Sequence, residues 1–421
     1  MVSVNPDRLG LINNSRSQNG AEQAGALPLR TQLPVYGTAL FSNSIPDLVL
    51  VVMQLWLIKL DTSLFVIGLV FGVRNVGPMF FAIHGGSMMD RLGTRRVMVF
   101  FAAIMIATPF VYPLAPWISA IVFLQLISGM ADSQGWVGTQ TLTGQVLRGN
   151  PTYTGRLIFA TRVGTFAGPP IAGACWDLFG PWGGFISLSL WGVGLMVSVL
   201  ALPAKALTPP TAPHQGLRRA IMPRFGDYMA ALRLFAIPLM TVVLFISILR
   251  QFGSGMQGSF YAVYLEGIGL SGTLIGFLVA ATGLTGVAAL ATGWLVRRMK
   301  EFNLLIWTTI ISIAAIAVSP FFIDFVPLFI ASGVRGATQA IAVVIIVSLI
   351  ARTVGPEEQG RAMGLRTTCN QSANVIIPIM MGGLAHFIGL EAAFYGVGAL
   401  GIILLLISAL WARHLDTPPM S

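Results

Sequence analysis

Seven charged side chains interrupt otherwise apolar runs of this 421-residue chain: Asp47, Arg74, Asp132, Arg162, Arg250, Arg335 and Arg366. A charge at a bilayer centre costs about 2.5 to 3.5 kcal/mol on insertion scales and is rarely kept without a partner or a task. At about 1.5 Å of rise per residue, Asp47, Arg74, Arg250 and Arg335 fall roughly 15 to 18 Å from one end of their runs, near the middle. Asp132 is also central, whereas Arg162 and Arg366 start a turn inside and can snorkel to a surface. Two chemistries fit Asp47 and Asp132. A carboxylate that loses water as a cavity closes can take up a proton and couple that event to a conformational change. Alternatively, one of them pairs permanently with Arg74 and nothing titrates. Gln134, Gln251, Asn370 and Asn374 add neutral groups that hold a small molecule or bridge helices.

Other chemistries lack their residues. His84, His214, His386 and His414 are scattered without ligand spacing, and no His-Glu-x-x-His or Gly-x-Ser-x-Gly pattern occurs. Cys175 and Cys369 both fall in apolar runs and give no disulfide framework. Gly253-x-Gly255-x-x-Gly258 matches a dinucleotide fingerprint, but no strand precedes it. No catalytic set, metal or cofactor is expected.

The elements that must position these charges are membrane helices. The chain is 55% hydrophobic and 10% charged, with a mean hydropathy of +0.80, far more apolar surface than one water-soluble core can cover. A hydrocarbon core of about 30 Å takes roughly 20 apolar residues per helix. Twelve such spans are read: Val35 to Ile58, Leu64 to Met88, Val97 to Leu114, Trp117 to Leu142, Ile158 to Phe179, Phe185 to Leu202, Pro238 to Leu265, Leu274 to Val296, Leu304 to Phe322, Phe325 to Ala351, Met363 to Ile388 and Ala392 to Trp411. The net charge of +10 raises nucleic acid as a partner, but its placement argues otherwise. Of 25 lysines and arginines, five lie within spans and Lys59 in an odd-numbered loop, leaving 19 in the tails and even-numbered loops. This positive-inside pattern predicts a multi-pass protein with both termini cytoplasmic, with the bilayer and no nucleic acid as its surroundings.

The spans divide six and six. Residues 1–33 read as a polar cytoplasmic tail without the apolar run of a signal peptide, 34–203 as a first six-helix bundle, 204–237 as a cytoplasmic linker, 238–412 as a second bundle and 413–421 as a short cytoplasmic tail. Within the linker, Pro223 to Phe235 reads either as a short amphipathic surface helix or as a solvated connection. A duplication is visible in the residues. Ser128-Gly129 and Arg162 recur 204 positions later as Ser332-Gly333 and Arg366, and Gly155-Arg156 recurs 205 positions later as Gly360-Arg361. Two pseudo-symmetric six-helix bundles, all α, follow.

Between spans two and three the chain reads Gly86-x-x-x-Asp90-Arg91-x-Gly93-x-Arg95-Arg96. This resembles, at the corresponding place, the loop motif of the major facilitator superfamily of membrane transporters. The second half keeps only Gly293 and Arg298 of it, with Arg297 where Asp90 would stand. In span five, Gly164-x-x-x-Gly168-Pro169-x-x-Ala172-Gly173 looks like the glycine and proline motif of the antiporter and drug-exporter branches, with Ala172 in place of one glycine; generic small-residue packing is the other reading. The resemblance implies two bundles that rock about a mid-membrane cavity lined by spans one, four, seven and ten. It would place Asp47, Asp132, Arg250 and Arg335 there, with Arg74, Gln134, Gln251, Asn370 and Asn374 as further candidates. It also implies a secondary active transporter in a bacterial inner membrane, expected as a monomer, exchanging a small organic molecule outward for protons. Proton-coupled uptake of an organic anion is the alternative, and a non-transporting receptor the more distant one.

Overall fold

A computed structural model describes residues 27–147, 150–203, 229, 232–354 and 358–414. The side chains of residues 82–87, 90, 91, 151, 413 and 414 lie outside that description, as do the proposed tail up to residue 26 and residues 223–228, 230 and 231 of the proposed surface helix, whose last residues enter a 3₁₀ turn, Arg233–Ala236.

Every span has its helix. Span one is Leu29–Lys59, beginning on the extended Pro28 and passing through Pro34 and Pro46. It starts six residues before the apolar run does, because its first turns carry polar residues that apolarity does not mark. Span two is two helices, Leu64–Arg74 and Val76–Leu92, meeting at Asn75, whose Nδ2 donates to the Phe71 carbonyl at 2.9 Å. Gly93, at φ 88°, ends it and leads directly into span three, Thr94–Leu114. Span four is Ile118–Gln145. Asn150 caps the next helix by accepting from the Thr152 and Tyr153 amides at 2.9 and 3.4 Å. That helix, Pro151–Leu200, breaks at Gly180 (φ 64°, ψ −156°), which separates spans five and six. Only glycine takes that conformation without cost, and Pro181 fixes the restart.

The second half follows the same plan with more irregular helices. Span seven runs Pro238–Met256, a π-helical turn Gln257–Tyr261 and Ala262–Gly267. Span eight runs Gly272–Leu284, a 3₁₀ stretch Thr285–Ala291 and Thr292–Val296. Spans nine to twelve are Glu301–Ala317, Phe325–Thr353, Gln359–Ile388 and Leu390–His414.

Among the described residues, nine helices are long and apolar enough to cross a membrane, and the 49-residue one supplies two crossings through its break at Gly180. The other two are span nine, short at 17 residues, and span four, whose Gln125, Asp132 and Gln134 lower its hydropathy. Large apolar side chains such as Phe100, Phe159, Leu178, Leu290 and Phe387 are exposed around the outside, as a lipid-facing surface requires. Span one packs on spans five and six within its half. Two further pairs, five with eight and two with eleven, join the halves.

Candidate transport cavity between the two halves

The halves meet tightly toward one end. A Cβ on Gly68 would strike the Pro378 carbonyl, one on Gly382 would lie 2.7 Å from the Leu64 carbonyl, and one on Gly72 would lie 2.8 Å from Ile379. Spans two and eleven therefore touch backbone to backbone. On the other flank, Gly173 meets Gly272 and Gly276 meets the Pro169 carbonyl, so spans five and eight do the same. Two polar contacts reinforce the closure. Asp177, on span five, accepts from the Gly272 and Thr273 amides at 2.8 Å each and from the Thr273 hydroxyl at 2.6 Å, capping the first turn of a helix in the opposite half. Gln54, fully buried on span one, donates to the Gly258 carbonyl at 3.1 Å and accepts from the Val263 amide at 3.0 Å. Those backbone groups lie five residues apart across the π turn of span seven, and the amide of Gln54 bridges them.

Neither closure residue stood among the sequence candidates. Asp177 sits two residues from the end of the fifth apolar run, where an acid reads as part of the adjoining loop. Gln54 sits in Val51-Val52-Met53-Gln54-Leu55, where a single amide in an apolar stretch is the signal that could have marked it. The span-five motif divides its contacts: Gly164 packs on the Leu40 carbonyl, Gly168 on the Leu48 side chain, and Gly173 with Pro169 on span eight.

Away from this closure the halves part around a cavity of about 910 Å³. Its wall runs from Arg74 and Asn75 toward Thr143, Thr154 and Ile158, at the end where Gly93 and Asn150 make their turns. Asn75 also donates to the Asn374 carbonyl at 3.3 Å, linking spans two and eleven at the cavity roof. Spans one, two, four, five, seven and eleven supply the wall. Span ten supplies none, which corrects the expected lining by spans one, four, seven and ten. Arg74, Asp132, Gln251, Asn370 and Asn374 face the cavity; Asp47, Gln134, Arg250 and Arg335 do not line it. The correction has a physical basis: depth along a helix follows from residue number, whereas azimuth depends on how the bundle turns each helix.

The charges are unevenly paired. Arg74 forms a buried ion pair with Asp132 and donates to Gln125 Oε1 at 2.7 Å. Gly129 lets this happen, since a Cβ there would collide with the backbone of Arg74. Asp47 is half-buried and has no hydrogen bond or ion pair among the described residues; the charges acting on it belong to Arg335 and Arg162. Arg162 donates to the Gly283 carbonyl at 3.2 Å across the five–eight contact. Between spans seven and eleven, Ser247 donates to Asn370 Oδ1 and Gln251 to Asn374 Oδ1, both at 2.9 Å. In the loop motif, Gly93 supplies the positive-φ turn and Arg95 donates to the Leu200 carbonyl at 2.6 Å, within the first half. Arg96 is exposed; the side chains of Asp90 and Arg91 and the surroundings of Gly86 lie outside the described set.

The family model of the Major Facilitator Superfamily matches residues 34–322 and 243–421. The chain belongs to this superfamily. Relatives include the enterobactin exporter EntS of Shigella boydii and of Escherichia coli, each 25% identical over 313 residues, covering 72% of this chain and 73% of theirs. The fold is also that of the nucleoside transporter NupG (TM-score 0.72, 14% identity, 91% of this chain and 99% of that one). It is shared by the human organic anion transporter MFSD10 (TM-score 0.57, 18% identity, 90% and 100%). This member of the superfamily is therefore a multi-pass membrane transporter of twelve helices in two six-helix bundles.

Proposed function

We propose that this transporter exports a small organic molecule across a bacterial inner membrane in exchange for protons, by alternating access between its two six-helix halves at 34–203 and 238–412. The observation that carries this reading is a 910 Å³ cavity set between the halves and closed at one end by backbone contacts, Gln54 and Asp177. The basic loops lie at the other end, which by the positive-inside pattern is cytoplasmic, so the state described is open inward. Relatives that are exporters support the outward direction. The interface glycines allow the closed end to form, and Pro169 in span five gives a place for bending as it opens. Asp90, Arg91 and Arg95 with Gly86 and Gly93 would bias the inward-closed state from the loop.

Of the two candidate carboxylates, Asp47 is the better proton carrier. Asp132 has its charge matched by Arg74, whereas Asp47 has no partner of its own among the described residues and sits in the field of arginines from both halves. A proton on Asp47 weakens its attraction to Arg335 in the second half, and thereby changes the balance between conformations. The test uses purified protein in liposomes with an imposed pH difference. Asp47→Asn should abolish uphill movement of a transported dye while leaving downhill exchange; pH-driven accumulation at the wild-type rate would remove Asp47 from the coupling.

A further inference from the structure

Among the described residues, the ion pairs leave three guanidiniums unmatched, one each on spans seven, ten and eleven. Arg250 and Arg335 are 5% and 6% exposed, and Arg366 reaches the cavity wall. Among the described residues Arg250 has neither a hydrogen-bond acceptor nor an ion pair, and its Nε is buried without a partner. The charges acting on it are Arg366 and Arg335, both repulsive. Arg335 spends one N–H on Gln339 Oε1 at 2.5 Å and leaves its own Nε unsatisfied. The carboxylate acting on this group is Asp47, and it acts on Arg335. Withdrawing guanidiniums from water without counter-charge is expensive, and crowding like charges adds to the cost.

The geometry around them is receptive. Arg366, Asn370 and Asn374 lie four apart on span eleven and share the cavity face, while Asn370 and Asn374 hold span seven at Ser247 and Gln251, next to Arg250. Trp136, 49% exposed, lines the same cavity with Pro46, Val137 and Ile158, an apolar and aromatic wall. Arg74 does not contribute surplus charge, being matched by Asp132.

We propose that Arg366 and Arg250, backed by Arg335, form an anion subsite on the span-seven and span-eleven side of the cavity, which takes the carboxylate of an amphipathic aromatic acid whose ring lies against Trp136. Arg366 meets the oxyanion from the cavity, and Arg250 adjoins it from behind; planar guanidiniums suit a two-oxygen group better than a lysine would. This deepens the transport reading and rests on its cavity.

The experiment measures binding by calorimetry in nanodiscs of phosphatidylcholine, which carries no net charge, with 1-naphthoate and its neutral isostere 1-naphthamide as probes. Wild type should bind naphthoate at least tenfold more tightly than naphthamide. Arg250→Gln and Arg366→Gln should each weaken naphthoate at least tenfold and naphthamide less than twofold, and Arg366→Lys should lose less than Arg366→Gln. Retained naphthamide binding shows that each variant is folded, and the cavity-wall Arg366 guards against a variant at buried Arg250 that fails to fold. Equal affinity of wild type for both probes, or equal losses in the variants, overturns the anion subsite and leaves the cavity reading standing. Neither probe binding at all contradicts the cavity reading and the subsite together. Weaker naphthoate binding when phosphatidylglycerol is added to the discs would assign the site to lipid headgroups and overturn the cargo assignment.

Discussion

Arg74 and Asp132 show what a paired charge does inside a membrane protein. Each alone would be a desolvated ion; together they form a charge-matched pair between spans two and four, with Gln125 Oε1 accepting a further N–H from Arg74. Asp132→Asn leaves Arg74 buried without its counter-ion and should cost about 3 to 5 kcal/mol of stability, while the double change Arg74→Gln with Asp132→Asn should recover most of it. Thermal unfolding of the three proteins in detergent checks this; a double variant no more stable than the single one would show that the pair is not what holds the two spans. At this scale the charged residues within the spans were legible in the sequence, because ionisable residues in apolar runs are rare and stand out. Their partners were not, since Arg74 and Asp132 lie 58 positions apart and nothing in a one-dimensional pattern says which faces meet. The same limit put Arg250 and Arg335 in the cavity wall, which neither of them lines.

Helices carry the conformational work, and span seven is the least regular of them. Its π turn widens the backbone where Gln54 of span one reaches in, so opening this end requires Gln54 to leave and the freed Gly258 and Val263 groups to find other partners. Gln54→Leu should therefore favour the state open at that end, because the amide bridge it removes exists only in the closed state. The reading is cysteine accessibility, with Cys175 and Cys369 replaced by serine and a reporter cysteine at Leu50 on span one, next to the span-seven contact. Labelling should quicken several-fold in the variant, and an unchanged rate would mean that the π turn and its bridge do not govern closure. Apolar runs made all twelve spans legible, including the break between five and six, for which Gly180-Pro181 is the local cause. The π turn left no such mark: Gln257 to Tyr261 has ordinary helix-compatible residues, and the widening is stabilised by Gln54, a residue some 200 positions earlier in the chain.

At the scale of the whole molecule, the two halves share a plan but not their charges. The first half neutralises its central arginine internally, and the second concentrates unmatched guanidiniums opposite it. The duplication was readable from the recurring Ser-Gly and arginine positions, whereas the closure of one end was not, because it depends on glycines from different halves meeting across the interface. Alternating access requires this closed end to open for transport. Asp177 and Thr273 touch across it, with Oδ2 and the hydroxyl 2.6 Å apart, so Asp177→Cys with Thr273→Cys in a protein whose Cys175 and Cys369 are serine places two thiols at the contact. The decisive measurement is transport in liposomes before oxidation, after quantitative disulfide formation, and after reduction. Alternating access predicts that oxidation stops transport while substrate still binds from the cavity side, and that a reductant restores it; undiminished transport by the fully cross-linked protein would show that the closed end need not open.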